Sequence, residues 1–438
     1  MIPETIILEG GSPLIVVKTD KFKTELLTIS AAVPYSAENS LLCNLLFAVL
    51  KRGCVPYPTI PAISRRLDDL YDANIGTMVT PTGENLSAGF ICECIDGKYV
   101  PEKDDIFAGA LDVLRSLAAE PLTDSDGLLS ASSVESEKKI LGDNILAMEN
   151  DPKTRSYELC RSELFRGEPY GENLLGKYSR ATSITREELT AFYRGFLENS
   201  LPRIIYVGSR DAREVSELVR EKLGFFGGKK LHRCETIIKK GDGNIRYVEN
   251  EMAVRQGKLT MGVRSDISVR DGDLYASVVM NDIFGGSAAS KSFKNVREAK
   301  SLCYYCSSSL HIFKGAMFVR SGISNKNRDK VTGEVLRQFD DIKNGRISDE
   351  ELEYAIKSNV FAYKQISDST YSTESFYRSR SMYGLSETPY DAIEKILAVK
   401  KEDVTRAANR YFEGASAFIR GTLEEREDLY DDIESDDE

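Results

Sequence analysis

One local pattern occurs twice in this chain, about 215 residues apart, and that duplication limits the folds open to it more than any other feature. Ile184-Thr185-Arg186-Glu187-Glu188-Leu189 opens a helix with a capping-box signal, Thr185-x-x-Glu188; the helix runs through Phe192 and Phe196 and the strand Ile204-Ile205-Tyr206-Val207-Gly208 follows. Val399-Lys400-Lys401-Glu402-Asp403-Val404 opens a second helix, expected to run through Tyr411 before the strand Ala417-Phe418-Ile419-Arg420-Gly421. The beginnings of the two copies match as well. A strand over Leu26–Ala31 and a helix over 39–52 are echoed by a strand over Lys258–Val263 and a helix over 272–284. Such a period is far too long for stacked repeats, whose units run to roughly 20–50 residues. A chain of 438 residues is long enough for two domains, each with its own core. Two homologous globular domains are predicted.

Within the first copy, Leu42, Leu45, Leu46, Val49 and Leu50 make one apolar helical stripe that Asn39 is placed to cap and Gly53 to end. Ile63, Leu67 and Leu70 mark a second helix. Residues 75–80 are strand-like, Pro81-Thr82-Gly83-Glu84 is a turn, and Leu86, Ala88, Phe90, Cys92 and Cys94 alternate with their neighbours at a period of two, so a hairpin is predicted. Hairpins with helices point to an α+β fold in which each domain is a mostly antiparallel sheet with helices packed on one face. The expected boundaries are 1–226 for the first domain, a Gly- and Lys-rich linker over 227–244, a second domain over 245–423, and an acidic tail over 424–438 that is expected to be disordered.

Composition excludes several functions. The chain has two histidines, His232 and His311, so no helix carries two imidazoles one turn apart, and the commonest zinc-hydrolase arrangements are ruled out. Neither histidine has a Ser or Cys partner readable from the sequence, which argues against a catalytic dyad. The formal charge is −11, but the tail holds ten acids against one arginine, leaving the body nearly neutral. No basic field is available to attract nucleic acid. The most apolar stretch, Leu41–Leu50, is far too short to span a bilayer and the N-terminus lacks a basic-then-apolar leader, so the expected location is cytoplasmic, with no membrane partner. Eight scattered cysteines suit reduced, buried thiols; Cys303-x-x-Cys306 has ligand-like spacing but no second pair, and ordinary packing is the expectation for it.

Residues 279–309 combine a helix end, a Gly285-Gly286 break, a short Ser/Lys-rich helix and a strand. This segment resembles the second-domain signature of the insulinase, pitrilysin and mitochondrial-processing-peptidase family, in which a Gly-rich turn leads to an R-E-K-x-x-L-x-Y run. Here the run is Arg297-Glu298-Ala299-Lys300-Ser301-Leu302-Cys303-Tyr304. The first half is similar to the same family along 24–208, through Arg52-Gly53 with Tyr57-Pro58 and the Pro169-Tyr170-Gly171 loop before Gly176. The resemblance implies a clam-like half chamber built from two homologous domains. It also implies where a zinc site of the form H-x-x-E-H plus a downstream Glu would fall. The ligand positions become Asn44 and Ala48, the general-base position becomes Phe47, and the downstream ligand position becomes Asn144. Asparagine is a poor zinc ligand, and alanine and phenylalanine neither ligate metal nor relay protons.

The resemblance therefore implies a chain with no catalytic residues, no metal and no cofactor of its own. It keeps Arg297 and Tyr304, which in active relatives bind the substrate backbone from the non-zinc domain; a guanidinium and a phenol supply aimed donors for carbonyl oxygens. The bland reading of the pair is a surface arginine in an ion pair with Glu298 and a tyrosine packed in a strand, with Tyr305 as the neighbouring alternative on the opposite face. The function expected from the resemblance is that of a non-catalytic subunit binding peptide beside a zinc-bearing homologous subunit, as a heterodimer, or as a homodimer. The alternatives are a scaffold or assembly subunit with no substrate and, remotely, a hydrolase using cysteines as unconventional metal ligands.

Overall fold

The computed structural model describes residues 2–101, 105–225, 232, 234–241 and 243–424. Most of the expected linker's first half and all of the acidic tail after Glu424 lie outside the described residues.

In chain order the elements are β1 (Glu4–Ile7), β2 (Pro13–Lys18), β3 (Thr24–Pro34), α1 (Ala37–Leu50), α2 (Ile60–Asp68), β4 (Asn74–Thr82), β5 (Asn85–Ile95), α3 (Ile106–Ala119), α4 (Ala131–Asn150), α5 (Pro152–Leu164), α6 (Tyr178–Ser183), α7 (Arg186–Asn199), β6 (Arg203–Gly208) and α8 (Ala212–Leu223). After the connecting segment come β7 (Arg246–Met252), β8 (Gly257–Ser265), α9 (Leu274–Asn281), β9 (Cys303–His311), β10 (Ala316–Ile323), α10 (Arg328–Lys343), α11 (Asp349–Gln365), α12 (Thr370–Met382), α13 (Pro389–Leu397), α14 (Lys401–Ala408) and β11 (Tyr411–Gly421). The fold is α+β with two sheets, ordered β1-β2-β6-β3-β5-β4 and β7-β11-β8-β10-β9. Each is antiparallel except for one pair, β2 with β6 and β7 with β11.

The expected hairpin is β4 and β5, tightly closed by Gly83 at φ 58°, a left-handed turn position that glycine takes without steric cost. Helix α1 starts earlier than Asn39. Ser36 is its cap, its hydroxyl accepting from the Asn39 amide at 3.0 Å, while the Asn39 side chain donates to the Pro34 carbonyl. Thr185 caps α7 by accepting from the Glu188 amide at 3.2 Å. The last helix stops short of the expectation: α14 ends at Ala408, and Tyr411 already belongs to β11 because it is buried and paired with Ser265 of β8. Helix α9 likewise gives way after Asn281 to a wider-pitched turn over Asp282–Gly286. Gly285 is required there, since a Cβ would lie 2.9 Å from the backbone nitrogen of Ser308 in β9.

The chain forms two compact units, and neither is contiguous in sequence. Among the described residues, one is drawn from 2–146, 172–237 and 362–393, the other from 147–171, 238–361 and 394–424. In the first, alternation along β2 and β6 sends Leu14, Val16, Ile204 and Tyr206 into the large core beneath α1, α3, α7 and α8. Their neighbours Ile15, Val17, Ile205 and Val207 point the other way and meet Phe376 and Tyr377 of α12. That helix is drawn from the C-terminal half of the chain. Thr28 of β3 fixes it by donating to Glu374 at 2.8 Å, and Arg378 donates to the same carboxylate.

The second unit repeats the scheme. Helix α5, from the N-terminal half, lies across β8 and β11, with Ser156 and Thr260 hydroxyls 2.7 Å apart. Leu164 sits over Gly262 and Gly414, where any Cβ would come within 2.8 Å and 2.6 Å of its methyl groups. Helix α9 packs against β9 of this sheet, and its Ser277 is fully buried.

Candidate functional site

The positions that the resemblance assigns to a zinc site, Asn44, Phe47, Ala48 and Asn144, lie on α1 and α4 of the first unit. Asn44 is half-buried and its amide is committed to backbone, donating to the Ser40 carbonyl at 2.8 Å and the Leu174 carbonyl at 3.3 Å. Phe47 points into the core, 2% exposed, edge-on to Phe90 at 5.2 Å and to Phe196 at 5.5 Å between ring centroids. Ala48 is half-buried, and Asn144 is on the exposed face of α4. The anchoring Arg52 donates to Glu137 of α4 at 2.7 Å, a partly buried ion pair that holds the end of α1 to that helix. Among the described residues no three His, Cys, Asp or Glu side chains gather as a ligand set. The residues at these positions do not fit a zinc ion.

Arg297 and Tyr304 belong to the second unit. Arg297 ends a wide-pitched helical segment, Ser292–Glu298, and Tyr304 is the second residue of β9, an edge strand. The turn between them is forced through Ser301, whose φ of 47° is an unusual left-handed value for a residue with a side chain. Both side chains line one open cavity of about 550 Å3, together with Glu298, Ser301, Leu302, Cys303, Ser324 and Asn327. Arg297 is exposed and stacks over the Phe293 ring at 4.6 Å. It has no carboxylate partner among the described residues. Tyr304 is 55% exposed. Tyr305 is half-buried on the other side of the strand, beneath the ammonium groups of Lys153 and Lys258.

Chemically, the cavity offers a guanidinium, a phenol, an amide and two hydroxyls, donors suited to carbonyl or carboxylate oxygens, with the β9 edge alongside. Ser324 and Asn327 are invisible to motif reading because they follow β10, 20 and 23 residues after Tyr304. Only the return of the chain beside β9 brings them in.

Neither His311 nor His232 is among the residues that line this cavity. His311 Nδ1 is 2.9 Å from the Tyr170 hydroxyl, in a ring cluster with Tyr157 and Phe318. Burial, with Arg320 and Arg161 nearby, pushes its pKa down to about 4. His232 Nε2 contacts the Asn85 side chain at 2.9 Å.

Residues 183–359 match the family model described as the peptidase M16 inactive domain. A "Probable inactive metalloprotease YmfF" from Bacillus subtilis (strain 168) is 29% identical over 416 residues, covering 94% of this chain and 96% of the relative. Among solved structures, a conserved protein from Enterococcus faecalis V583 superposes with a TM-score of 0.88 at 24% identity, over 97% of this chain and all of that one. A peptidase M16 inactive domain from Pseudomonas fluorescens does so with a TM-score of 0.79 at 15% identity, over 97% and 100%. The chain is thus similar in sequence over residues 183–359 to the peptidase M16 inactive domain, over nearly its whole length to a probable inactive metalloprotease, and in its two-sheet fold to M16-type structures.

Proposed function

We propose that this chain binds extended peptide and works as the non-catalytic partner of a zinc-bearing M16 subunit. The observation that carries the reading is that Arg297 and Tyr304 line one open cavity beside an edge strand while the zinc-ligand positions are held by Asn44, Phe47, Ala48 and Asn144. A peptide laid along the β9 edge gains main-chain hydrogen bonds with little demand on its sequence, and Arg297 and Tyr304 add donors for its carbonyls. The metal and the general base then come from the partner. No cofactor is required of this chain.

The test is reconstitution. The purified chain alone is expected to hydrolyse no peptide, and addition of a zinc-bearing M16 homologue from the same cell to give hydrolysis. Arg297→Ala then lowers kcat/KM by about 10- to 100-fold, the loss expected for a charged hydrogen-bond donor to substrate. Zinc-dependent hydrolysis by the chain alone, or indifference of the reconstituted activity to Arg297→Ala, overturns the reading.

A further inference from the structure

Cys303 and Cys306 are three residues apart, a spacing that in a regular strand puts two side chains on opposite faces. In β9 it does not. Cys306 pairs with Ser321, Tyr305 with Gly322 and Cys303 with Ile323, so Tyr304 is an extra residue with no partner of its own on β10. This bulge restores Cys303 and Cys306 to one face. The two thiols are close enough to shift each other's titration, 9% and 4% exposed, and Cys303 lines the cavity that also holds Arg297.

Their surroundings make them unequal. The hydrogen bond from Cys306, the Ser321 hydroxyl and the field of Arg297 lower the pKa of Cys303 despite burial, whereas Cys306 is held strongly protonated by Cys303 and by burial. Burial raises the pKa of the other six cysteines. With no third His, Cys, Asp or Glu gathered beside the pair among the described residues, it is not a zinc site. A thiol of lowered pKa that opens onto a cavity, with a second thiol beside it on the same face, is instead the arrangement of an attacking and a resolving cysteine.

We propose that Cys303 and Cys306 form a redox site that a small hydroperoxide oxidises to an intrachain disulfide. The Cys303 thiolate attacks one peroxide oxygen, the O–O bond breaks, and hydroxide leaves and takes up the Cys306 proton as water. The Cys306 thiolate then attacks the sulfenic sulfur of Cys303; the S–S bond forms, and the second hydroxide leaves and takes a proton from solvent. With hydrogen peroxide, two thiols and one oxidant give one disulfide and two waters. Access through the cavity to a nine-tenths buried sulfur selects a small oxidant over a protein disulfide. The ring so closed contains Tyr304, so oxidation re-aims that side chain. This last consequence rests on the peptide-facing role of Tyr304, whereas the oxidation does not.

The full-length reduced protein is treated with one equivalent of hydrogen peroxide, blocked with an alkylating reagent and digested with trypsin. Residues 301–314 leave as one peptide carrying both cysteines, and residues 67–98 as another carrying Cys92 and Cys94, a buried same-face pair with no bulge. The 301–314 peptide is expected to become two hydrogens lighter and resist alkylation while the 67–98 peptide is fully alkylated. Cys306→Ser stops this and leaves a sulfenic acid on Cys303 that dimedone traps; Cys303→Ser leaves neither product. Preferential oxidation of 67–98, a 301–314 peptide that stays a dithiol, or disulfides only between chains overturns the proposal, and the wild-type comparison decides even where a variant misfolds. Disulfide formation that leaves peptide binding unchanged counts against the peptide-facing reading of Tyr304 alone.

Discussion

Phe47, the position that the resemblance assigns to a general base, is a ring packed edge-on between Phe90 and Phe196. Phe47→Ala is expected to cost about 3–5 kcal/mol, the range for emptying a large buried aromatic site, measurable by denaturant unfolding. The triple change Asn44→His, Phe47→Glu, Ala48→His is expected to yield a destabilised protein without stoichiometric zinc or hydrolysis, because the carboxylate would be buried among apolar rings. Metal analysis showing one zinc per chain would contradict this. The histidines themselves have structural roles. His311 has a folded pKa near 4 against an ordinary value of 6.5, so below pH 6.5 the unfolded chain takes up a proton that the folded one does not. The contribution of this residue to stability is therefore full above pH 6.5 and falls away as the pH drops towards 4. His311→Gln should flatten that part of the stability profile, read from denaturation midpoints at successive pH values.

At the scale of elements, capping and alternation were legible in advance and irregularities were not. The Thr185 cap and the β4–β5 hairpin follow from residue types at fixed spacing. The start of α1 does not, because Ser36 and Asn39 are both good caps and the choice depends on Asn39 having the Pro34 carbonyl to bond. Ser36→Ala should cost about 1 kcal/mol in thermal or denaturant unfolding, and Asn39→Ala less. The bulge at Tyr304 had no sequence signal. Strict alternation put Cys303 and Cys306 on opposite faces, and only pairing with β10 shows that one residue is extra. The edge position of β9 and the left-handed Ser301 that leads into it were hidden for the same reason: both are set by what lies beside the strand.

Across the whole molecule, the duplication is a reciprocal exchange of helices as well as a repeat of sheets. The face of the first sheet formed by Ile15, Val17, Ile205 and Val207 is covered by Phe376 and Tyr377, from far along the chain. A fragment of residues 1–237 accordingly leaves four strand residues, each under 10% exposed in the whole chain, open to water. It is expected to aggregate or unfold without cooperativity, and co-expression with residues 238–438 to restore a soluble, cooperatively unfolding protein; a monomeric, stably folded 1–237 would refute this. In the other unit, Leu164→Ala should cost about 2–5 kcal/mol, since that side chain fills the floor made by Gly262 and Gly414.

The sequence by itself determined the α+β class, the two-fold repetition of its elements and the absence of a paired-histidine metal site, because each follows from local periodicity, residue chemistry or spacing; Arg297 and Tyr304 were singled out by the family resemblance of their segment. Tertiary structure alone decided that α5 and α12 each cover the sheet of the other half, that Ser324 and Asn327 join Arg297 in one cavity, and that Cys303 meets Cys306. These depend on which distant backbone a strand pairs with and which apolar face needs covering. Contacts of that kind are made by the folded chain as a whole, and no local pattern encodes them.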